Sequence, residues 1–117
     1  MPSILIVDDS MLQRLKLKKL FSSNGFETKE ANSGEQALEL LGKGQFDAIS
    51  LDLLMPGIGG LGFLKETQGK QRPPVVVISA DIQETVHSEC MELGANGFLN
   101  KPSKDEEVLR TFSKLIA

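Results

Sequence analysis

Two runs in this chain, Ile4-Leu5-Ile6-Val7 and Val75-Val76-Val77-Ile78, are apolar and mostly β-branched from end to end. A strand with one wet face alternates polar and apolar side chains, whereas a continuous apolar run suits a strand covered on both faces. Sheets buried on both faces are typically parallel, and parallel strands need long crossovers between them, usually helices. The rest of the sequence is consistent with that demand.

After the first run, Ser10 and Gln13 stand at capping-box spacing. Met11, Leu12, Leu15, Leu20 and Phe21 then give a roughly helical apolar pattern, with Arg14, Lys16, Lys18 and Lys19 off that face. Asn24-Gly25 ends the helix. Phe26 to Ala31 alternates weakly and carries charges, as an exposed edge strand does. Ser33 and Gln36 repeat the capping spacing ahead of Ala37, Leu38, Leu40 and Leu41, and Gly42 and Gly44 close that helix. Phe46 to Leu51 reads as a central strand. Gly57, Gly59 and Gly60 read as a loop, with a weakly signalled helix from Leu61 through Phe63 and Leu64. Pro73-Pro74 precedes the second apolar run. Asp81 and Glu84 are expected to cap a fourth helix whose apolar side is Ile82, Val86, Cys90 and Leu93, closed by Gly94. Gly97 to Asn100 reads as a short strand. Ser103 and Glu106 then cap a last helix with apolar Val108, Leu109, Phe112, Leu115 and Ile116.

Five strand–helix alternations predict an α/β fold, a doubly wound five-stranded parallel sheet with helices on both faces. Residues 1–117 are expected to form one domain, long enough for a core of its own. The formal charge of −3 and a pI near 5.1 offer no basic footprint for nucleic acid. One cysteine, Cys90, precludes an intramolecular disulfide and fits a reducing compartment. No stretch approaches the ~20 apolar residues of a membrane span, and the start shows no signal-peptide pattern, so a cytoplasmic location away from membranes is expected.

In an open α/β sheet, ligands bind beyond the carboxyl ends of the strands. Those ends carry Asp8 and Asp9, then Asp52, Ser79 and Lys101, from four separate strands. Two carboxylates ~5 Å apart at an effective dielectric of ~20 repel by about 3 kcal/mol. A hard divalent cation relieves this, and Mg²⁺ characteristically uses one or two carboxylates plus phosphate oxygens. Lys101 offers a point charge for an anionic oxygen and Ser79 a hydroxyl donor. One Asp left as nucleophile would give aspartyl-phosphate chemistry. Ser50, inside the central strand, reads as packing, and His87 as a solvated residue.

Four pieces, Ile4 to Asp9, Asp52-Leu53-Leu54-Met55-Pro56 with Gly60, Val77 to Ala80, and Gly94 to Pro102, together resemble the receiver domains of two-component response regulators, including the small chemotaxis-type regulators. The resemblance covers essentially the whole chain. It implies the flavodoxin-like strand order 2-1-3-4-5 and makes Asp52 the phosphoacceptor. It assigns Mg²⁺ to Asp9, Asp52 and the Leu54 carbonyl, with Asp8 acting through water. Ser79 and Lys101 would bind the phosphoryl oxygens, Lys101 pairing first with Asp52, and Lys101-Pro102 would be cis. Ser79 and Phe98 take the switch positions; Ser79 stands where Thr is frequent, and Phe98 where many chemotaxis-type members have Tyr. The implied partners are a sensor histidine kinase or phosphotransfer protein and a downstream target protein. The readout face would be the fourth helix, fifth strand and fifth helix. With the chain ending just past the fifth helix, output by protein contact is expected.

Three other readings are weaker. A phosphohydrolase with an Asp nucleophile generally has a second acid two residues on, where this chain has Leu54. A flavin or nucleotide binder would put a phosphate loop where Asp8-Asp9 stands. A receiver acting only as an interaction module has no need of the complete set Asp8, Asp9, Asp52, Ser79 and Lys101.

Overall fold

A computed structural model describes residues 1–81 and 83–116; Ile82, assigned above to a helix face, lies outside the described residues. The elements alternate as β1 (Ser3–Val7), α1 (Met11–Ser22), β2 (Glu27–Ala31), α2 (Gly34–Lys43), β3 (Ala48–Leu51), α3 (Gly59–Thr67), β4 (Val75–Ser79), α4 (Glu84–Glu92), β5 (Gly97–Asn100) and α5 (Asp105–Ile116). The five strands form one parallel sheet in the order β2-β1-β3-β4-β5. Register runs Ile6↔Ser50 between β1 and β3, Ser50↔Val76 between β3 and β4, and Val77↔Phe98 between β4 and β5.

The inner strands β1, β3 and β4 are largely apolar because each face of the sheet has its own core. Leu5, Val7, Ile49, Leu51, Val75 and Val77 pack against Ala37 of α2, Phe63 and Leu64 of α3 and Cys90 of α4. Ile4, Ile6, Ala48, Val76 and Ile78 pack against Phe21 of α1 and Val108 and Phe112 of α5. Phe21 meets Phe112 edge-on, with ring centroids 4.9 Å apart. The β2 edge keeps its charges outward, with only Ala31 buried.

The caps of α1 and α2 form as their spacing predicts. Ser10 Oγ accepts from the Gln13 N–H at 3.3 Å, and Ser33 Oγ accepts from the Gln36 N–H at 3.1 Å. Gln36 reaches back one residue further than a standard capping box, to the Asn32 N–H.

Several boundaries and faces differ from the sequence expectation. On α1, Met11, Leu12 and Leu15 are exposed at 75%, 66% and 44%, and the buried side belongs to Leu17, Leu20 and Phe21. At about 100° per residue these are two separate stripes, and only one can face the sheet. β3 starts at Ala48, not Phe46, because Asp47 turns out to accept from the Ser3 N–H through its carboxylate. α3 starts at Gly59, inside the expected loop. Asp81 does not cap α4; its carboxylate accepts from the Gln83 N–H, closing a turn before a helix that starts at Glu84. Ser103 likewise donates to the Asn100 carbonyl, while the Lys104 carbonyl accepts the Val108 N–H at the start of α5.

Arg72, before β4, ties together elements that sequence periodicity left unconnected. Its guanidinium donates to Thr67 Oγ1 (2.7 Å) near the end of α3 and to the Gly94 carbonyl (2.9 Å) just beyond α4. A cation at two helix C-termini also opposes their partial negative charge. Arg72→Ala is expected to lower stability by about 2 kcal/mol, since it strips a charged partner from the buried Thr67 hydroxyl; urea unfolding checks this.

Candidate functional site

Because the strands are parallel, their carboxyl ends emerge at one edge of the sheet. Backbone bonds extend the ladder past the strands: the Asp52 N–H donates to Val7 O (2.9 Å) and the Lys101 N–H to Ser79 O (2.8 Å). The side chains that follow β1, β3 and β5 are therefore held by the sheet itself. One carboxylate oxygen from each of Asp8, Asp9 and Asp52 lies within 4.8 Å of the others.

The three carboxylates are not equivalent. Asp8 and Asp52 are buried, and Asp9 is exposed. Asp8 is fixed on both oxygens: Oδ1 accepts from the Ser10 N–H (2.9 Å) and Oδ2 from Lys101 Nζ (3.0 Å). Its carbonyl also accepts from the Arg14 guanidinium at 2.6 Å, which anchors α1 to the site. Lys101 Nζ stands 3.4 Å from Asp52 Oδ1, so Lys101 sits closer to Asp8 than to the Asp52 expected as its first partner. The reason is geometric: the Ser10 N–H already orients Asp8 toward it.

Two buried carboxylates thus share one ammonium. Burial pushes the Asp52 carboxyl above its ordinary value of 3.8; Lys101 pulls it down, the Asp8 charge pushes it up, and burial prevails. A crevice in this state is short of positive charge. Its donors are all hard oxygens, with no sulfur or imidazole among them, and that set fits a hard divalent cation.

The other predicted residues occupy distinct places. Ser79 is fully buried at the end of β4, and its Oγ accepts from the Asp81 N–H at 3.1 Å; that bond leaves the hydroxyl proton uncommitted. The following residue, Ala80, is exposed. Leu54 turns its side chain to solvent, 60% exposed. Gly60 has no room for a side chain: a Cβ there would lie 2.5 Å from the Asp52 carbonyl oxygen. Lys101-Pro102 is cis, as expected. Phe98 lies outside the acidic cluster, half-buried on β5, with its ring centroid 4.6 Å from that of His87 on α4. His87 is exposed, as the sequence suggested, yet it covers the Phe98 ring. Their pairing was legible only once α4 was known to pack beside β5. The exposed Met11, Leu12 and Leu15 begin two residues after Asp9, and their separate helical stripe was the available signal.

Among the described residues no helix is long and apolar enough to cross a membrane.

The model of the response regulator receiver domain matches residues 4–113 of the chain. The chain is 36% identical over 119 residues to the two-component response regulator ORR11 of Oryza sativa, covering 98% of this chain and 81% of that protein. It is 34% identical over 117 residues to the sensory/regulatory protein RpfC of Xanthomonas campestris, covering 96% of this chain but only 16% of that much longer protein. Among solved structures, CheY in the CheX–CheY–BeF3–Mg²⁺ complex of Borrelia burgdorferi superposes with a TM-score of 0.92 at 29% identity, over 99% of this chain and 90% of that one.

Proposed function

Since this chain belongs to the response regulator receiver domain family, whose members are phosphorylation-dependent signalling modules of two-component systems, we propose that Asp52 is its phosphoacceptor and that Asp8, Asp9 and Asp52 bind Mg²⁺. The observation that carries the reading is the buried pair Asp8 and Asp52 sharing the single ammonium of Lys101 beside a third carboxylate. A phosphohistidine on a sensor histidine kinase or phosphotransfer protein supplies the phosphoryl group. An Asp52 oxygen attacks phosphorus and the P–N bond breaks, the phosphohistidine ring, already protonated on its other nitrogen, leaving as neutral imidazole.

Asp9, Asp52 and the Leu54 carbonyl would hold the ion, with Asp8 acting through water. The ion supplies positive charge against the oxygens of the transferring group. Lys101 does the same from the β5 side, moving from Asp8 and Asp52 to a phosphoryl oxygen. Ser79 donates its uncommitted hydroxyl proton to another. Burial on the sheet edge limits water around the reacting carboxylate.

The new charge then shifts an existing two-state equilibrium. Ser79 turning to the phosphoryl draws on the loop that it holds through Asp81, between β4 and α4. Phe98 of β5 lies under His87 of α4, so α4, β5 and α5 form the face that changes and meets a downstream protein. The exposed stripe of Met11, Leu12 and Leu15 beside Asp9 suits contact with a protein phosphodonor.

The test is incubation with phosphoramidate, a small P–N donor, and Mg²⁺, read by intact mass. One phosphoryl group per chain is expected, and no adduct would refute the reading. The Mg²⁺ assignment has its own prediction. Asp9→Asn is expected to weaken Mg²⁺ binding about tenfold, about 1.4 kcal/mol. The exposed Asp9 makes no structural pair among the described residues, so the metal-free melting temperature should barely move. Calorimetric titration and a thermal melt read the two effects.

A further inference from the structure

Leu54, whose carbonyl would hold the ion, lies in the loop that leads from Asp52 to α3. Its own side chain is turned to solvent and anchors nothing. Leu53 is buried and Met55 packs on the core, but Pro56 and Gly57 beyond them are exposed. The far end of the loop meets the first turn of α2, which comes from a different part of the chain.

Ile58 lies in a slot between two helices, and a glycine on each makes the room. A Cβ at Gly34 of α2 would stand 2.7 Å from Ile58 Cγ1 and 2.9 Å from the Gly59 carbonyl oxygen. A Cβ at Gly62 of α3 would stand 2.7 Å from Ile58 Cβ. Non-bonded carbons settle at about 3.5–4.0 Å, so neither position accepts a side chain unless Ile58 moves. Next to it, Gly57 takes φ +78° and turns its bare Cα to the Glu35 carboxylate of α2, where a Cβ would collide. The gripping turn is itself fixed, Ser33 accepting from the Gln36 N–H and Gln36 from the Asn32 N–H.

The grip is passed on to the site. Gly60, two residues after Ile58, packs bare against the Asp52 and Leu53 backbone. The Met55 and Gly60 N–H groups both donate to the Leu53 carbonyl, at 3.1 and 3.3 Å. A displaced Ile58 therefore displaces the residues on either side of Leu54, because close-packed contacts transmit strain. We propose that the first turn of α2 clasps this loop through Ile58, making Ile58 and Gly34 positioning residues for the cation at Asp52. The cation step rests on the Mg²⁺ reading above; the grip on the loop stands without metal. A loop released from the clasp samples other positions, and a site that is competent part of the time binds more weakly in proportion.

Two variants release the clasp from opposite sides. Ile58→Ala empties the slot, and Gly34→Ala pushes a methyl group into it. In the metal-free ¹⁵N-labelled chain, solvent exchange of the Met55 and Gly60 amides should quicken in both, with the β1 and β3 amides unchanged. Mg²⁺ affinity by calorimetry should fall about threefold in each, as for a loop in place about a third of the time. Ile58→Val keeps Cγ1 and should restore both values. Unchanged exchange at Met55 and Gly60 in both variants, or faster exchange spread evenly over the sheet, would overturn the clasp. Faster loop exchange with unchanged Mg²⁺ affinity would overturn the positioning role. A wild type that binds no Mg²⁺, with loop exchange still faster in the variants, would support the clasp and count against the metal reading alone.

Discussion

In Asp52→Asn, phosphoramidate with Mg²⁺ is expected to leave the intact mass unchanged, while the wild type gains a phosphoryl group. An amide oxygen is a poor nucleophile, and neither neighbouring carboxylate is equivalently placed: Asp8 is tied on both oxygens and Asp9 is exposed. The same variant carries a second expectation, about stability. Burial and Asp8 hold the Asp52 carboxyl above 3.8, so ionised Asp52 is less favourable in the native state than in the unfolded one. Without metal, Asp52→Asn should therefore be the more stable protein at neutral pH, by about 1 kcal/mol or a few degrees. Acid shrinks the difference. As pH falls through the raised native value toward 3.8, Asp52 takes up its proton and the penalty disappears. Melts across that range check the sign: a variant less stable at neutral pH would mean that the ion pair with Lys101 outweighs burial.

Lys101→Met is expected to separate two roles that the site combines. Phosphorylation by phosphoramidate should slow by about 10²-fold, the usual consequence of removing one group that stabilises developing oxyanion charge. Mg²⁺ binding should instead tighten several-fold. Lys101 sits 3.0 Å from Asp8 and 3.4 Å from Asp52, so it competes with an incoming cation for the same oxygens. A purely structural lysine would weaken both. Single-turnover rates by mass, with calorimetric Mg²⁺ titration, distinguish the cases.

The sheet was legible in the sequence because its signals are dense: uninterrupted β-branched runs, two Ser-x-x-Gln caps, and glycines at helix ends. The residues at the strand ends were legible for a related reason. A parallel sheet brings those ends together, so position along the chain fixes position in space for Asp8, Asp52, Ser79 and Lys101. What remained hidden depends on packing between elements distant in sequence. Met11, Leu12 and Leu15 look like core until Leu17, Leu20 and Phe21 are seen to occupy the sheet-facing side of the same helix. Asp81 and Ser103 have cap spacing, but each satisfies a nearer backbone group, and the helices start later. The bonds of Arg72 and the contact of His87 with the Phe98 ring join residues with no local pattern. The preference of Lys101 for Asp8 follows from an N–H at Ser10 that composition cannot reveal.

The most direct measurement locates the phosphoryl group. Protein treated with phosphoramidate and Mg²⁺ is reduced with borohydride, which converts an acyl phosphate to an alcohol, and is then digested and sequenced by mass spectrometry. The reduced side chain is predicted at position 52 alone; reduction at Asp8 or Asp9, with position 52 intact, would contradict the assignment of Asp52 as the acceptor.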